Sequence, residues 1–159
     1  MISKKIYGLK PAYRDKYAQL IKDYSQFGGG AKDEQYVQAK SFSNTYEFYI
    51  YAYFLGLKTN TKDELLDAKE ISTFWDIENW KPRNLVDYLI SCAISSSDFD
   101  MIGIESASES EVSEQIGILK RNIETYANGG FSFILKLIQD DPDCIEDDRL
   151  FVRLIADHS

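Results

Sequence analysis

The stretch YEFYIYAYFLGLK, Tyr46 to Lys58, decides the fold class. Tyr46, Tyr49, Ile50, Tyr53, Phe54 and Leu57 recur at intervals of three and four, the spacing that gathers side chains on one face of an α-helix. Phe48, Tyr51 and Leu55 fill the opposite side, so this is a helix that other elements must enclose. The apolar run Phe48–Leu57 falls well short of the ~20 residues a membrane span needs, which makes it a core helix. Asn44 with Glu47 three residues later resembles a capping arrangement at its start. Gly56 is placed to close it in the left-handed conformation, with Lys58 following near the exposed carbonyls.

Toward the N-terminus, Tyr13, Tyr17, Leu20, Ile21 and Tyr24 repeat the same period after Pro11 and predict an amphipathic helix ending near Ser25. Gly28, Gly29 and Gly30 break it, and the aperiodic stretch 27–42 reads as a mobile loop. Toward the C-terminus, Asp63–Glu70 is short and weakly helical, and Thr73–Lys81 is an aromatic connector packed on the core. Pro82 opens a helix whose apolar face is Leu85, Val86, Leu89, Ile90, Ala93 and Ile94. Capping residues between Ser106 and Glu111 precede the stripe Val112, Ile116, Leu119, Ile123 and Tyr126. Asn128-Gly129-Gly130 should end that helix, with positive φ at Gly129 or Gly130; Phe131, Ile134, Leu135 and Ile138 restart the period, and Leu150, Phe151, Leu154 and Ile155 form a last short helix. With no strand alternation and no hairpin signal, the expectation is one all-α compact domain, residues 1–159, of six or seven helices.

The 159 residues, 44% of them hydrophobic, suffice for one core, and a charged fraction of 28% argues against both a disordered chain and a membrane protein. Charge is uneven: residues 1–62 hold 10 Lys+Arg against 5 Asp+Glu, or +5, and residues 63–159 hold 8 against 21, or −13. A basic half can approach nucleic acid or an acidic protein, and an acidic half suits basic partners. Cys92 and Cys144 belong to no secreted framework, and no signal-peptide pattern precedes Lys10, so a cytoplasmic location is expected.

Chemistry is scarce. His158, beside the C-terminus, is the one histidine and makes a poor general base, and two distant cysteines with it cannot assemble an ordinary zinc site. The acidic turn 140–148 fails as a calcium loop, because counting from Asp141 the glycine place holds Glu146; it reads as a solvated turn before the last helix. Neither glycine run matches a phosphate-cradling motif. No catalytic, cofactor-binding or metal-ligating residue is predicted, and an enzyme would need carboxylates brought together only by folding. The one candidate contact set is basic: Lys4, Lys5, Lys10, Arg14, Lys16 and Lys22, interleaved with Tyr7, Tyr13 and Tyr17, could hold phosphates of DNA. The net charge of −8 is the reverse of the usual nucleic-acid footprint.

Taken together, YEFYIYAYFLGLK (Tyr46–Lys58), FWDI (Phe74–Ile77), NLVDYLISCAI (Asn84–Ile94) and YANGG (Tyr126–Gly130) resemble, over roughly residues 43–138, a small accessory family encoded beside bacterial DNA phosphorothioation (Dnd-type) genes. The resemblance implies a role in a system that places sulfur in the DNA backbone, or in the restriction machinery that uses that mark, with other proteins of the system as partners. It transfers no active-site residue. Such sulfur chemistry needs cysteine desulfurase and iron–sulfur components, for which this chain has no cysteine cluster, so the implied role is that of a non-enzymatic accessory.

Overall fold

The computed structural model describes residues 2–25, 41–66 and 69–158; of the expected mobile loop 27–42, only Ser41 and Phe42 border or fall within them, and the remainder lies outside the described residues. The elements in chain order are α1 (Ile2–Tyr7), β1 (Ala12–Arg14), α2 (Ala18–Tyr24), α3 (Thr45–Thr59), β2 (Ile71–Thr73), α4 (Arg83–Ser95), α5 (Glu109–Asp140) and α6 (Leu150–Asp157). Short 3-10 turns lie at Asp15–Tyr17, Ile77–Asn79, Gly103–Ser106 and Pro142–Glu146. The described residues thus form six α-helices and one small sheet, a mostly helical fold that is not purely α.

The sheet is the first correction. β1 and β2 pair antiparallel, Ala12 opposite Thr73, Tyr13 opposite Ser72 and Arg14 opposite Ile71. A three-residue strand is too short to show alternation, and Tyr13 and Tyr17, both buried, mimic a helical period across the strand and the turn that follows it. The predicted helix therefore shrinks to α2. The described residues of the segment 63–70 are not helical either: the Asp63 N–H donates to the Thr125 carbonyl at 3.0 Å, holding the chain along α5.

The second correction concerns the glycines. α5 runs unbroken for 32 residues through Asn128-Gly129-Gly130, and no positive φ occurs at either glycine. These residues serve close approach instead. A Cβ on Gly130 would stand 1.9 Å from the Ala52 carbonyl oxygen, one on Gly129 1.8 Å from that of Thr61, and one on Gly56 1.9 Å from that of Tyr126. Glycine in mid-helix costs about 1 kcal/mol relative to alanine, but here it lets α3 and α5 cross with their backbones in contact. Gly56 accordingly does not end α3; Asn60, at φ 51 and ψ 42, supplies the left-handed cap.

Other local expectations hold. Ser108 and Glu111 form a complete capping box at the start of α5, and α4 begins directly after Pro82. The expected Asn44–Glu47 cap forms only in part: Asn44 takes the N-cap position of α3 but its side chain makes no capping bond, and the Glu47 carboxylate accepts instead from the Ser43 N–H at 2.9 Å. The core centres on α3: Phe48, Tyr49 and Tyr53 are enclosed together with Tyr17, Trp80 and Phe131. The aromatic connector packs as expected, with Trp80 stacked on Phe74 and its indole N–H donating to the Trp75 carbonyl at 2.9 Å. Among the described residues, no helix is long and apolar enough to cross a membrane.

Candidate functional site

β1 needs hydrogen-bond partners on both edges, because the backbone groups of alternate strand residues point opposite ways. β2 serves one edge, and side chains serve the other. The Ala12 N–H donates to Glu124 Oε2 at 2.7 Å, and the Ala12 carbonyl accepts from Asn128 Nδ2 at 3.0 Å and from the Tyr49 hydroxyl at 2.8 Å. The Arg14 N–H donates to Asn128 Oδ1 at 2.9 Å. Two residues one helical turn apart stand in for a third strand, which works because i to i+4 on a helix rises about 6 Å and i to i+2 on a strand about 6.6 Å. Burial raises the Glu124 carboxyl above the usual range, against the opposing pull of the Ala12 N–H, Lys120 and Arg121.

Asp63 closes the other side of this cluster. It accepts from Arg14 Nε at 2.9 Å and from the Tyr17 hydroxyl at 2.5 Å, with Lys16 Nζ at 3.9 Å. Two of the six predicted DNA contacts are therefore brought together on an internal carboxylate. Lys4 and Lys5 are exposed on α1, Lys10 is exposed just beyond it, and Lys22 is exposed on α2, a separate helix. Tyr13 and Tyr17 are core residues and offer no face to a base. Tyr7 lies under the Arg83 guanidinium, 4.3 Å from its ring centre, and bonds Asp87.

Two clefts adjoin these elements. One, of about 510 Å³, is lined by residues of the segment 62–66, by Ser96 and by residues of the 121–126 stretch of α5, with Lys62, Glu64 and Arg121 among its charged groups. Its polar groups brace the fold: Asn122 accepts from the Tyr53 hydroxyl at 2.9 Å and donates to Ser96 Oγ at 3.1 Å, and Lys62 sits over the Tyr126 ring. Ser96 Oγ in turn donates to the Cys92 carbonyl at 2.7 Å, an arrangement of a helix end and not of an activated nucleophile. The second cleft, of about 460 Å³, lies between the C-terminal part of α5, the Pro142–Glu146 turn and α6. Phe133, Leu137, Leu150 and Leu154 supply its apolar lining and Asp141, Asp143, Asp147 and Asp157 its acids. Among the described residues, no group of three or more His, Cys, Asp or Glu side chains is placed to hold a metal ion.

Sequence reasoning missed this second cleft, since its two walls become neighbours only when α6 folds back on α5. It also missed that Trp75, in the connector expected to pack on the core, is 50% exposed; Tyr88, 61% exposed, lies off the apolar face expected for α4. Comparison with protein-family models, with curated proteins and with solved structures gives no match.

Proposed function

We propose that the chain is a non-enzymatic accessory protein that joins other proteins of a bacterial DNA-modification-linked defence system in the cytoplasm. The observation that carries the interaction role is apolar side chains left in water: Trp75, Tyr88, Met101 at 62% and Ile102 at 91% exposure, while most other large aromatics among the described residues are buried or half-buried. Aromatic and apolar side chains of this kind gain most by burial against a partner. The link to DNA modification rests on the resemblance over residues 43–138, whose YANGG and FLGLK segments build the α3–α5 crossing. Co-expression of the tagged chain with the proteins encoded beside it tests this reading. Stoichiometric co-purification with a modification or restriction protein is expected, and its absence overturns the assignment.

A second reading, direct DNA binding, draws on one placement. The Ile77 N–H donates to the Leu9 carbonyl at 2.9 Å and Arg83 covers Tyr7, so the connector and the start of α4 pack against the segment carrying Lys4, Lys5 and Lys10. Four phosphate contacts from these lysines and Arg83 would give a slope of log affinity against log salt near −3.6, from roughly −0.9 each. Charge reversal of the three lysines should flatten it, and affinity weaker than ~100 μM at low salt removes this mode.

A further inference from the structure

The cleft between α5 and α6 joins apolar side chains to a group of acids, three of which, Asp141, Asp143 and Asp157, stand in water. Its apolar lining is Phe133 and Leu137 of α5, both half-buried, with Leu150 and Leu154 of α6, both buried. The rest of its lining is Asp141, Asp143, Asp147 and Asp157 with Cys144, Arg153 and His158; Arg153 pairs Asp147 at 2.7 Å, and the His158 ring lies edge-on to Phe133. Asp141, Asp143 and Asp157 are exposed, as is Ile145 in the turn that forms one wall. Residues 140–158 hold seven acids against two arginines, a local charge of 2 − 7 = −5.

These two properties together select an occupant. The apolar area that Phe133 and Leu137 still expose is better covered than wet, by about 25 cal/mol per Å² removed from water. A neutral apolar ligand would cover it but would leave the crowded carboxylates repelling one another at lower dielectric. Nucleic acid would be repelled by them. A cationic segment with apolar side chains on one face satisfies both, its charges meeting the acids as its apolar groups reach that area. We propose that this cleft receives a basic amphipathic segment of a partner protein, with Lys or Arg side chains on Asp141, Asp143 and Asp157 and apolar side chains against Phe133, Leu137 and Leu154. The proposal rests on the interaction role above and adds to it a second surface with its own partner chemistry, since none of Trp75, Tyr88, Met101 and Ile102 lines this cleft.

Fluorescence anisotropy with the full chain tests it, using a labelled peptide of Leu and Lys at helical spacing, its Leu/Glu counterpart, and a Lys/Gly peptide of equal charge. The Leu/Lys peptide should bind with Kd on the order of 10 μM, and the Asp141→Asn, Asp143→Asn, Asp157→Asn triple variant should weaken it about tenfold or more. The Glu105→Gln, Glu109→Gln, Glu114→Gln variant removes equal charge from around the other end of α5 and should change affinity less than about twofold. Both variants must keep the wild-type circular dichroism and thermal midpoint. Binding weaker than ~1 mM, equal binding of the Leu/Glu or Lys/Gly peptide, or equal loss in both variants overturns the proposal. So does dimerisation of the chain alone that the Asn variant abolishes, because the cleft then belongs to a second copy. If a neighbouring protein co-purifies equally well with wild type and the Asn variant, this surface assignment fails while the accessory role stands; if none co-purifies with wild type, the accessory role itself fails.

Discussion

Two glycines of one helix should respond to alanine in opposite directions. At Gly130 the added methyl meets the Ala52 backbone at 1.9 Å, and neither backbone can retreat without separating α3 from α5. Gly130→Ala should destabilise by about 3 kcal/mol or more, the upper end of overpacking, read from the urea midpoint. At Gly117 the nearest atom is the flexible Arg121 guanidinium at 3.4 Å, so Gly117→Ala should stabilise by about 0.5–1 kcal/mol through helix propensity. Glu124 makes a pH prediction at the same scale. Its folded-state pKa is raised from the ordinary 4.5, chiefly by burial, so the folded chain holds that proton more tightly than the unfolded chain. Its contribution to stability is greatest below the unfolded value and falls as pH rises from there through the raised folded value. Glu124→Gln keeps an acceptor for the Ala12 N–H, and subtracting its stability-versus-pH curve from wild type should isolate that fall; identical curves would contradict the burial effect.

At the scale of elements, the pairing of a strand with helix side chains makes β1 depend on α5. Asn128→Ala removes two bonds from β1 and leaves the buried Arg14 N–H and part of the Ala12 carbonyl demand unmet. The expected loss is about 2–3 kcal/mol, with the amides of residues 12–14 becoming the first part of the core to exchange with deuterium. Ser108→Ala, which deletes one half of a capping box on exposed ground, should cost about 1 kcal/mol and leave β1 protection unchanged. The alternation that would have announced β1 is missing because three residues cannot display a period, whereas Ser108 and Glu111 were readable because a capping box is complete within four residues.

At the scale of the molecule, one ring ties the C-terminal helix to everything else. Phe151 of α6 lies 5.6 Å from Phe48, 5.5 Å from Tyr51, 5.2 Å from Tyr24 and 5.0 Å from Phe42, ring centre to ring centre. Its carbonyl also accepts from the Tyr51 hydroxyl at 2.6 Å. Phe151→Ala should cost about 3–5 kcal/mol and, by loosening α6 from α3, abolish peptide binding in the α5–α6 cleft together with stability. Loss of stability with peptide affinity unchanged would show that α6 does not build the binding surface.

Hydrophobic period alone was enough to establish α3, α4 and the helical character of α5, since a stripe of Tyr, Ile, Leu and Phe sustained over three or more turns is gathered on one face by a helix, whereas the short Tyr13–Tyr17 spacing was shared by a strand and a turn. It also indicated a scarcity of histidine and cysteine chemistry and an acidic C-terminal half. Contacts remote in sequence decided the rest. Glycine has the same local meaning whether it ends a helix or admits a neighbour, and only the approach of Ala52, Thr61 and Tyr126 to within a methyl radius selects the second. A lysine or arginine is likewise exposed by default, until an aspartate 49 residues away, Asp63, claims Arg14. The α5–α6 cleft forms where Phe151 seats α6 against Phe48 and Tyr51 of α3, a packing event that no spacing within either segment encodes.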